Sequence, residues 1–446
     1  MKIQLRTWAF CLVLLCASTV VYAQDAAEAA FDEAAGKHKL EVRDLEQRRG
    51  VSLPAGLQHA TAKSVSARLK EDFPENTVLL FYDYDEPVLR IWLVGAEGIR
   101  GFQSLNMSSL QLKTVVVDLR NSLGVDFPRS GERLRAPLNR GLRLAASEAP
   151  KPFNQAEQQL TQILMPPTIA GAAASAKHLI VVPVLEISAV PFALLRPFPV
   201  GSSGPFLIDR MSVSIAPSLF DVGQQMIRRG SEIEKKGELN WNARFQRPLV
   251  IGNPRPLKDS RWRFPSLPGA QSEAVEVARR LGVRKVLIGR SATRQALAAM
   301  VEDADLLYLA THGVASIENP LNESFLMLAA AKTDAGRWTA REIQDTRLNA
   351  RLAVLSACST GLGKHHAAGT IGLARAFQKS GVPRVVMSLW NVGDLATRDL
   401  MLLFIENLKS QIPAEALRQA MLQYRQRHPN AHPSRWAAFT LFGTPR

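Results

Sequence analysis

The chain has 446 residues, 46% of them hydrophobic and 21% charged, with three cysteines and a formal net charge of +15. That length supports one large core or two smaller ones, and the ordinary apolar content excludes wholesale disorder. Three cysteines exclude a disulfide scaffold, while the positive charge keeps nucleic acid and anionic membrane among the partners to be weighed.

Lys2 and Arg6 lead into an apolar run of 14 residues, Trp8 to Val21. Val21-Tyr22-Ala23 follows, with small residues where a signal peptidase reads them, and then Gln24-Asp25-Ala26-Ala27. This pattern predicts a signal peptide over 1–23 and an exported protein, periplasmic or extracellular. The run is shorter than the roughly 20 residues of a membrane span. An uncleaved anchor is the competing reading. A lipid anchor on Cys16 is disfavoured because Leu15 stands where a small residue is expected. No later segment reads as a span, since the apolar stretch His178 to Leu195 contains Glu186, Pro183 and Pro191. Cleavage after Ala23 removes Cys11 and Cys16 and leaves Cys358 as the sole thiol. On composition alone, such a thiol reads as a small buried apolar residue.

Residues 24–74 form a short polar segment with 8 Lys/Arg against 9 Asp/Glu. Ala-rich spacing over 25–35 and 39–49 predicts helix, punctuated by Gly50 and Pro54. No 34-residue or other repeat is present. From residue 75 onward strands and helices alternate. Residues 77–84 and 88–94 predict a hairpin around Asp85-Glu86-Pro87, and 110–123 and 153–165 predict helices. Residues 178–184 read as a buried strand, and 206–218 as strand and turn. Residues 228–263 carry ten Lys/Arg and four Asp/Glu around one short strand, Pro248 to Asn253. Most of this stretch reads as solvated surface loop. A nucleic-acid patch is the sharper alternative, but regularly interleaved aromatics are missing.

The last 180 or so residues are the most regular. Strands are predicted at 285–289, 305–313, 350–361, 384–392 and 436–443. Helices are predicted at 273–281, 293–301, 371–381, 396–408 and 415–428. Apolar runs without alternation indicate strands covered on both faces. The fold class is therefore α/β, a mostly parallel sheet with helices on both sides, preceded by a small hairpin and helix subdomain.

In such a sheet ligands bind beyond the carboxyl ends of the strands. Two ends carry chemistry: Ala310-Thr311-His312-Gly313 and Ser356-Ala357-Cys358-Ser359-Thr360-Gly361. If those strands are neighbours, the imidazole reaches the thiol and supplies the base that exposes thiolate. The N–H groups of Gly313 and Cys358 are placed to receive the resulting oxyanion. His365 and His366 are competing candidates for base or metal ligand. With no ordered His/Cys/Asp/Glu spacing, no metal site is expected. No phosphate loop is present, and residues 369–374 are too short for a dinucleotide fingerprint.

These residues resemble the CHAT domain, a caspase-like cysteine peptidase family related to separase. The matching pieces occur in the family's order: HLIVVPVLEISAVPFALL, FLIDRMSVSIAPSL, PLVIGNP, LPGAQSEAVEVARRL, LLYLATHG, TAREIQ, LNARLAVLSACSTGLG, GLARAFQKSGVPRVVMSLWNV and HPSRWAAFTLFG. With the hairpin, the resemblance covers residues 75–446. It implies a caspase-like fold, His312 as base, Cys358 as nucleophile and Gly313 in the oxyanion hole. It adds Trp390 and Asp394 as further candidates for substrate contact. Their alternatives are core packing for Trp390 and a cap for the helix that begins near Leu395. The resemblance implies a protein or peptide substrate, the chain itself among the candidates, a regulatory protein partner, and no cofactor.

The chain departs from the family's pattern where carboxylates are common. Ser359 follows the cysteine, Ala368-Gly369-Thr370 replaces a Gly-Glu-Gly, Gly393-Asp394 keeps one acidic residue, and Asp334-Ala335-Gly336-Arg337-Trp338 alters an Asp-Gly. Three functions follow in order: an exported cysteine endopeptidase; a catalytically silent binding or scaffold protein on the same fold; and a basic-surface binder of anionic partners.

Overall fold

The computed structural model describes residues 4–48, 60–125, 151–198, 204–224, 245–256, 264–316, 319–332, 334–356, 364–366 and 369–445. For residues 4–23, 48, 223–224, 364–366 and 369–371 the backbone path alone is described.

The strands in chain order are β1 (Thr77–Asp85), β2 (Val88–Gly95), β3 (Gly98–Asn106), β4 (His178–Val182), β5 (Ser212–Ile215), β6 (Pro248–Pro254), β7 (Leu287–Gly289) and β8 (Leu306–Ala310). Then come β9 (Gly313–Val314), β10 (Phe325–Met327), β11 (Arg337–Thr339), β12 (Leu352–Ser356), β13 (Lys364–His366), β14 (Gly369–Ile371), β15 (Arg384–Ser388) and β16 (Phe439–Gly443). Eleven of them form one sheet, in the order β3-β2-β1-β4-β5-β16-β15-β12-β8-β6-β7. Seven of its ten neighbouring pairs are parallel. The antiparallel ones are β1/β2, β2/β3 and β15/β16.

The β15/β16 pairing divides the sheet. β1, β4, β5 and β16 run one way; β15, β12, β8, β6 and β7 run the other. The carboxyl ends of β8, β12 and β15 therefore share one edge. This is the mostly parallel α/β sheet expected from the apolar runs. The reversal at β16 is a feature those runs do not encode.

Side-chain alternation on β1 shows how both faces are filled. Val78, Leu80 and Tyr82 pack with helices Ser109–Ser122 and Phe153–Leu164. Leu79 and Phe81 face the other way, toward Phe31, Ala34 and Ala35 of helix Gln4–Arg48 and Val65 and Leu69 of helix Ala62–Glu71. Trp92 is fully buried there, and its Nε1 donates to the Ala27 carbonyl at 3.1 Å. A buried aromatic of this size contributes about 2–3 kcal/mol of transfer free energy.

One helix spans residues 4–48 and joins the two Ala-rich runs in a single element. Its buried side chains, Ala27 through Glu46, make it part of the core. Glu46 is fully buried and pairs with Arg375 at 2.7 Å and Lys379 at 3.2 Å. Arg375 also pairs with Asp221. Residues 206–218 resolve into a short helix, Leu207–Arg210, ahead of β5. Of the basic stretch 228–263, β6 is described; 228–244, with Arg228-Arg229, and 257–263 lie outside the described residues. Among the described residues no helix is long and apolar enough to cross a membrane.

Candidate active site

The site is set by strand register. β8 and β12 are adjacent and parallel, with Ala310 opposite Ser356. His312 is two residues beyond Ala310, and Cys358 is two residues beyond Ser356. The two strands thus end side by side, at the edge where such sheets bind ligands, each two residues short of a candidate in the sequence. Cys358 lies outside the described residues, as do Ser359 and Ala368.

His312 is fixed from three sides. The Thr311 hydroxyl donates to the Met327 carbonyl, anchoring the turn to β10. Met327 N–H donates to the His312 carbonyl at 2.9 Å. The ring packs against Phe264, centroids 5.1 Å apart, and its Nε2 lies 2.7 Å from the Pro265 carbonyl oxygen. A carbonyl only accepts, so Nε2 carries the proton and Nδ1 holds the lone pair of the neutral ring. Burial lowers the His312 pKa; the Pro265 bond and the Asp394 charge pull the other way. The neutral, proton-accepting form is therefore the resting form near neutral pH.

Gly313 begins β9, the edge strand of the small sheet β11-β10-β9, opposite Leu326. The Met327-to-His312 bond makes this a non-hydrogen-bonded pair, so the Gly313 N–H points away from β10. It is a backbone donor aimed off the ladder beside the imidazole.

Trp390 and Asp394 follow β15 at the same edge. Trp390 is 2% exposed; its Nε1 donates to the Ser434 carbonyl at 2.8 Å, and the Arg120 guanidinium lies 5.6 Å from its ring centroid. That is a core position. Asp394 is the first residue of helix Asp394–Asn407, with Gly393 as the cap residue. Its Oδ2 accepts from the Gly269 N–H at 2.5 Å, so it closes the start of a different helix, Pro268–Leu281. A Cβ at Gly269 would collide with that carboxylate. Asp394 is half-buried and its charge reaches His312.

His365 and His366 lie on β13 of the two-stranded β13/β14 hairpin. Among the described residues no group of His, Cys, Asp and Glu is arranged to hold a metal ion. Pro265 and Glu273 carry no signal as site residues in the sequence. Pro265 acts through its carbonyl, which every residue has. Glu273 reads as one polar position in an amphipathic helix.

Fold and site define an α/β protein of the caspase-like class. Residues 154–444 match the CHAT domain, and the chain belongs to that family, which is related to caspase-like cysteine peptidases. It is 26% identical to tetratricopeptide repeat protein 28 of Mus musculus over 313 residues, 62% of this chain and 12% of that protein. The human protein of the same name is 26% identical over 310 residues, with the same shares. The chain thus spans about one-eighth of the length of these curated relatives. Among solved structures, it resembles Saccharomyces cerevisiae separase in its complex with securin, with a TM-score of 0.50 at 11% identity, over 86% of this chain and 31% of that one.

Proposed function

We propose that this protein is an exported cysteine endopeptidase. Cys358 is the nucleophile, His312 the base, and a protein or peptide, the chain itself among the candidates, the substrate. The observation that supports this reading most directly is the β8/β12 register, which gives His312 and Cys358 the same step beyond adjacent parallel strands.

The chemistry follows from the groups present. His312 Nδ1 accepts the thiol proton, and the thiolate attacks the scissile carbonyl carbon. The carbonyl oxygen becomes an oxyanion, received by the Gly313 N–H and, as the family resemblance implies, by the Cys358 N–H. The imidazolium, steadied by Pro265, returns its proton to the leaving amine. The C–N bond breaks and a thioester remains. Water, deprotonated by His312, attacks it; the acid leaves and the thiol is restored. Asp394 is a half-buried carboxylate at the rim of this site, the better placed of the two further candidates to meet substrate.

Every described buried side chain of the first helix, from Ala27 onward, lies beyond the expected cleavage point after Ala23. The test is incubation of wild type and Cys358→Ala with a peptide library and with themselves, with N-terminal sequencing of the products. Cleavage by wild type alone, and a mature start at Gln24, are expected. Equal cleavage by both forms would overturn the mechanism and favour the scaffold reading. A retained Met1 would overturn export by signal cleavage.

A further inference from the structure

Glu273 is 1% exposed and faces the sheet from helix Pro268–Leu281. Tyr308 of β8 donates its hydroxyl to Glu273 Oε1 at 2.7 Å, in a fully buried bond. Ser356, the last residue of β12, presents its hydroxyl to the same carboxyl. Glu273 Oε2 and Ser356 Oγ are both buried without a hydrogen bond. The carboxyl thus bonds β8 through the Tyr308 hydroxyl and faces β12 at the Ser356 hydroxyl.

An apolar side chain of similar size would fill this space with no desolvation cost. The carboxyl instead touches two strands. Tyr308 lies four residues before His312, and Ser356 two before Cys358. We infer that Glu273 is a positioning residue for the dyad: its carboxyl group spans β8 and β12 and holds the ends that lead to His312 and Cys358 in fixed register. The catalytic consequence rests on the peptidase reading; the bridge itself does not.

The charged groups facing Glu273 are Asp394 and Arg398 of the neighbouring helix; the sheet side offers the Tyr308 and Ser356 hydroxyls. Burial pushes the Glu273 pKa up to about 7, against the pull of both hydroxyls. Burial also holds the Tyr308 phenol well above its usual range, so it remains a donor. The bridge is protonated in mild acid and ionises as pH rises through neutrality. Ionisation sets a carboxylate near Asp394, the residue that closes the start of Glu273's own helix, and loosens the seat.

The experiment compares wild type, Glu273→Gln, Glu273→Ala and Tyr308→Phe between about pH 5 and pH 9. Two readouts are taken: kcat and KM for peptide cleavage, and the alkylation rate of Cys358 by iodoacetamide, which needs no substrate. Glutamine keeps an oxygen to accept from Tyr308 and cannot ionise. Its kcat is expected to match wild type in mild acid and exceed it about fivefold above pH 8, with KM unchanged. Alanine lowers kcat about tenfold throughout. Tyr308→Phe, which removes one donor and spares the volume, moves the wild-type inflection to higher pH in both readouts. Superimposed profiles of wild type and Glu273→Gln, or equal loss in Gln and Ala, overturn the inference. A Glu273-dependent inflection in alkylation without peptide cleavage overturns the peptidase reading and leaves the bridge standing.

Discussion

The Nε2 of His312 stands 2.7 Å from the carbonyl oxygen of Pro265, on the loop before helix Pro268–Leu281. That bond assigns the ring proton to Nε2 and leaves Nδ1 to accept one, so in the proposed mechanism an imidazolium would keep the same partner. Burial lowers the His312 pKa below its ordinary 6.5. The rising limb of kcat/KM against pH is therefore expected below pH 6.5, because the neutral ring persists into mild acid. His312→Ala is expected to lose about 100-fold or more in kcat. A pH profile with its midpoint above 6.5 would contradict this assignment.

Glu273 also leaves a thermodynamic signature separate from catalysis. Its folded pKa is raised from 4.5 to about 7. The folded state thus binds more protons than the unfolded state between those values. The stability it contributes is complete below pH 4.5 and is lost as pH rises through about 7. The full change is about 3 kcal/mol. Urea unfolding of Glu273→Gln should lack this component, so the variant gains on wild type as pH rises from 5 to 8.

Glu46 faces two cations. Replacing it with alanine leaves Arg375 and Lys379 with Asp221 as their remaining described partner. Stripping one partner from a buried ion cluster costs about 3–5 kcal/mol. A denaturant midpoint lowered accordingly, with an unchanged m-value, is the expected result. Lys379 adds a pH effect of the opposite sense to that of Glu273. Burial lowers its pKa from 10.5 to about 8, so the folded state binds fewer protons in that window and stability rises across it. Lys379→Met should flatten that rise.

Gly269→Ala tests the role of Asp394. The added methyl group meets the carboxylate and displaces it from the Gly269 N–H. Overpacking of this kind costs about 1–3 kcal/mol. If Asp394 acts by closing the helix alone, Asp394→Asn and Gly269→Ala should change stability and kcat in parallel. A rise in KM confined to Asp394→Asn would mark direct substrate contact.

The carboxyl-terminal half was the more legible part of the sequence. Strands β6, β8, β12, β15 and β16 are continuous apolar runs covered on both faces, and each reads as a strand without help from neighbours. β3 escaped because it is an edge strand whose exposed residues are Arg100, Phe102, Ser104 and Asn106. The β9–β11 sheet has strands of two and three residues, too short for any periodicity. Helix Ala62–Glu71 carries a capping box, Thr61 with Ser64, but its serine and lysine content hid the buried stripe of Val65 and Leu69. At the site, side-chain chemistry marked His312 and Cys358. The Pro265 carbonyl and the Gly313 N–H depend on where the backbone turns, and residue type alone does not report that.

The Glu46–Arg375 contact joins residues 329 positions apart. A nascent chain presents Glu46 long before its guanidinium partner exists, and must keep that carboxylate in water until then. The ion pairs of Glu46 are therefore completed only after the last third of the chain is made, while the apolar contacts of Phe31, Ala34 and Ala35 with Val65, Leu69, Phe81 and Trp92 lie within the first hundred residues. Loop-closure entropy at such separation makes the pairing slow as well. The end of the first helix waits for the last third of the chain before the Glu46 carboxylate meets these two cations.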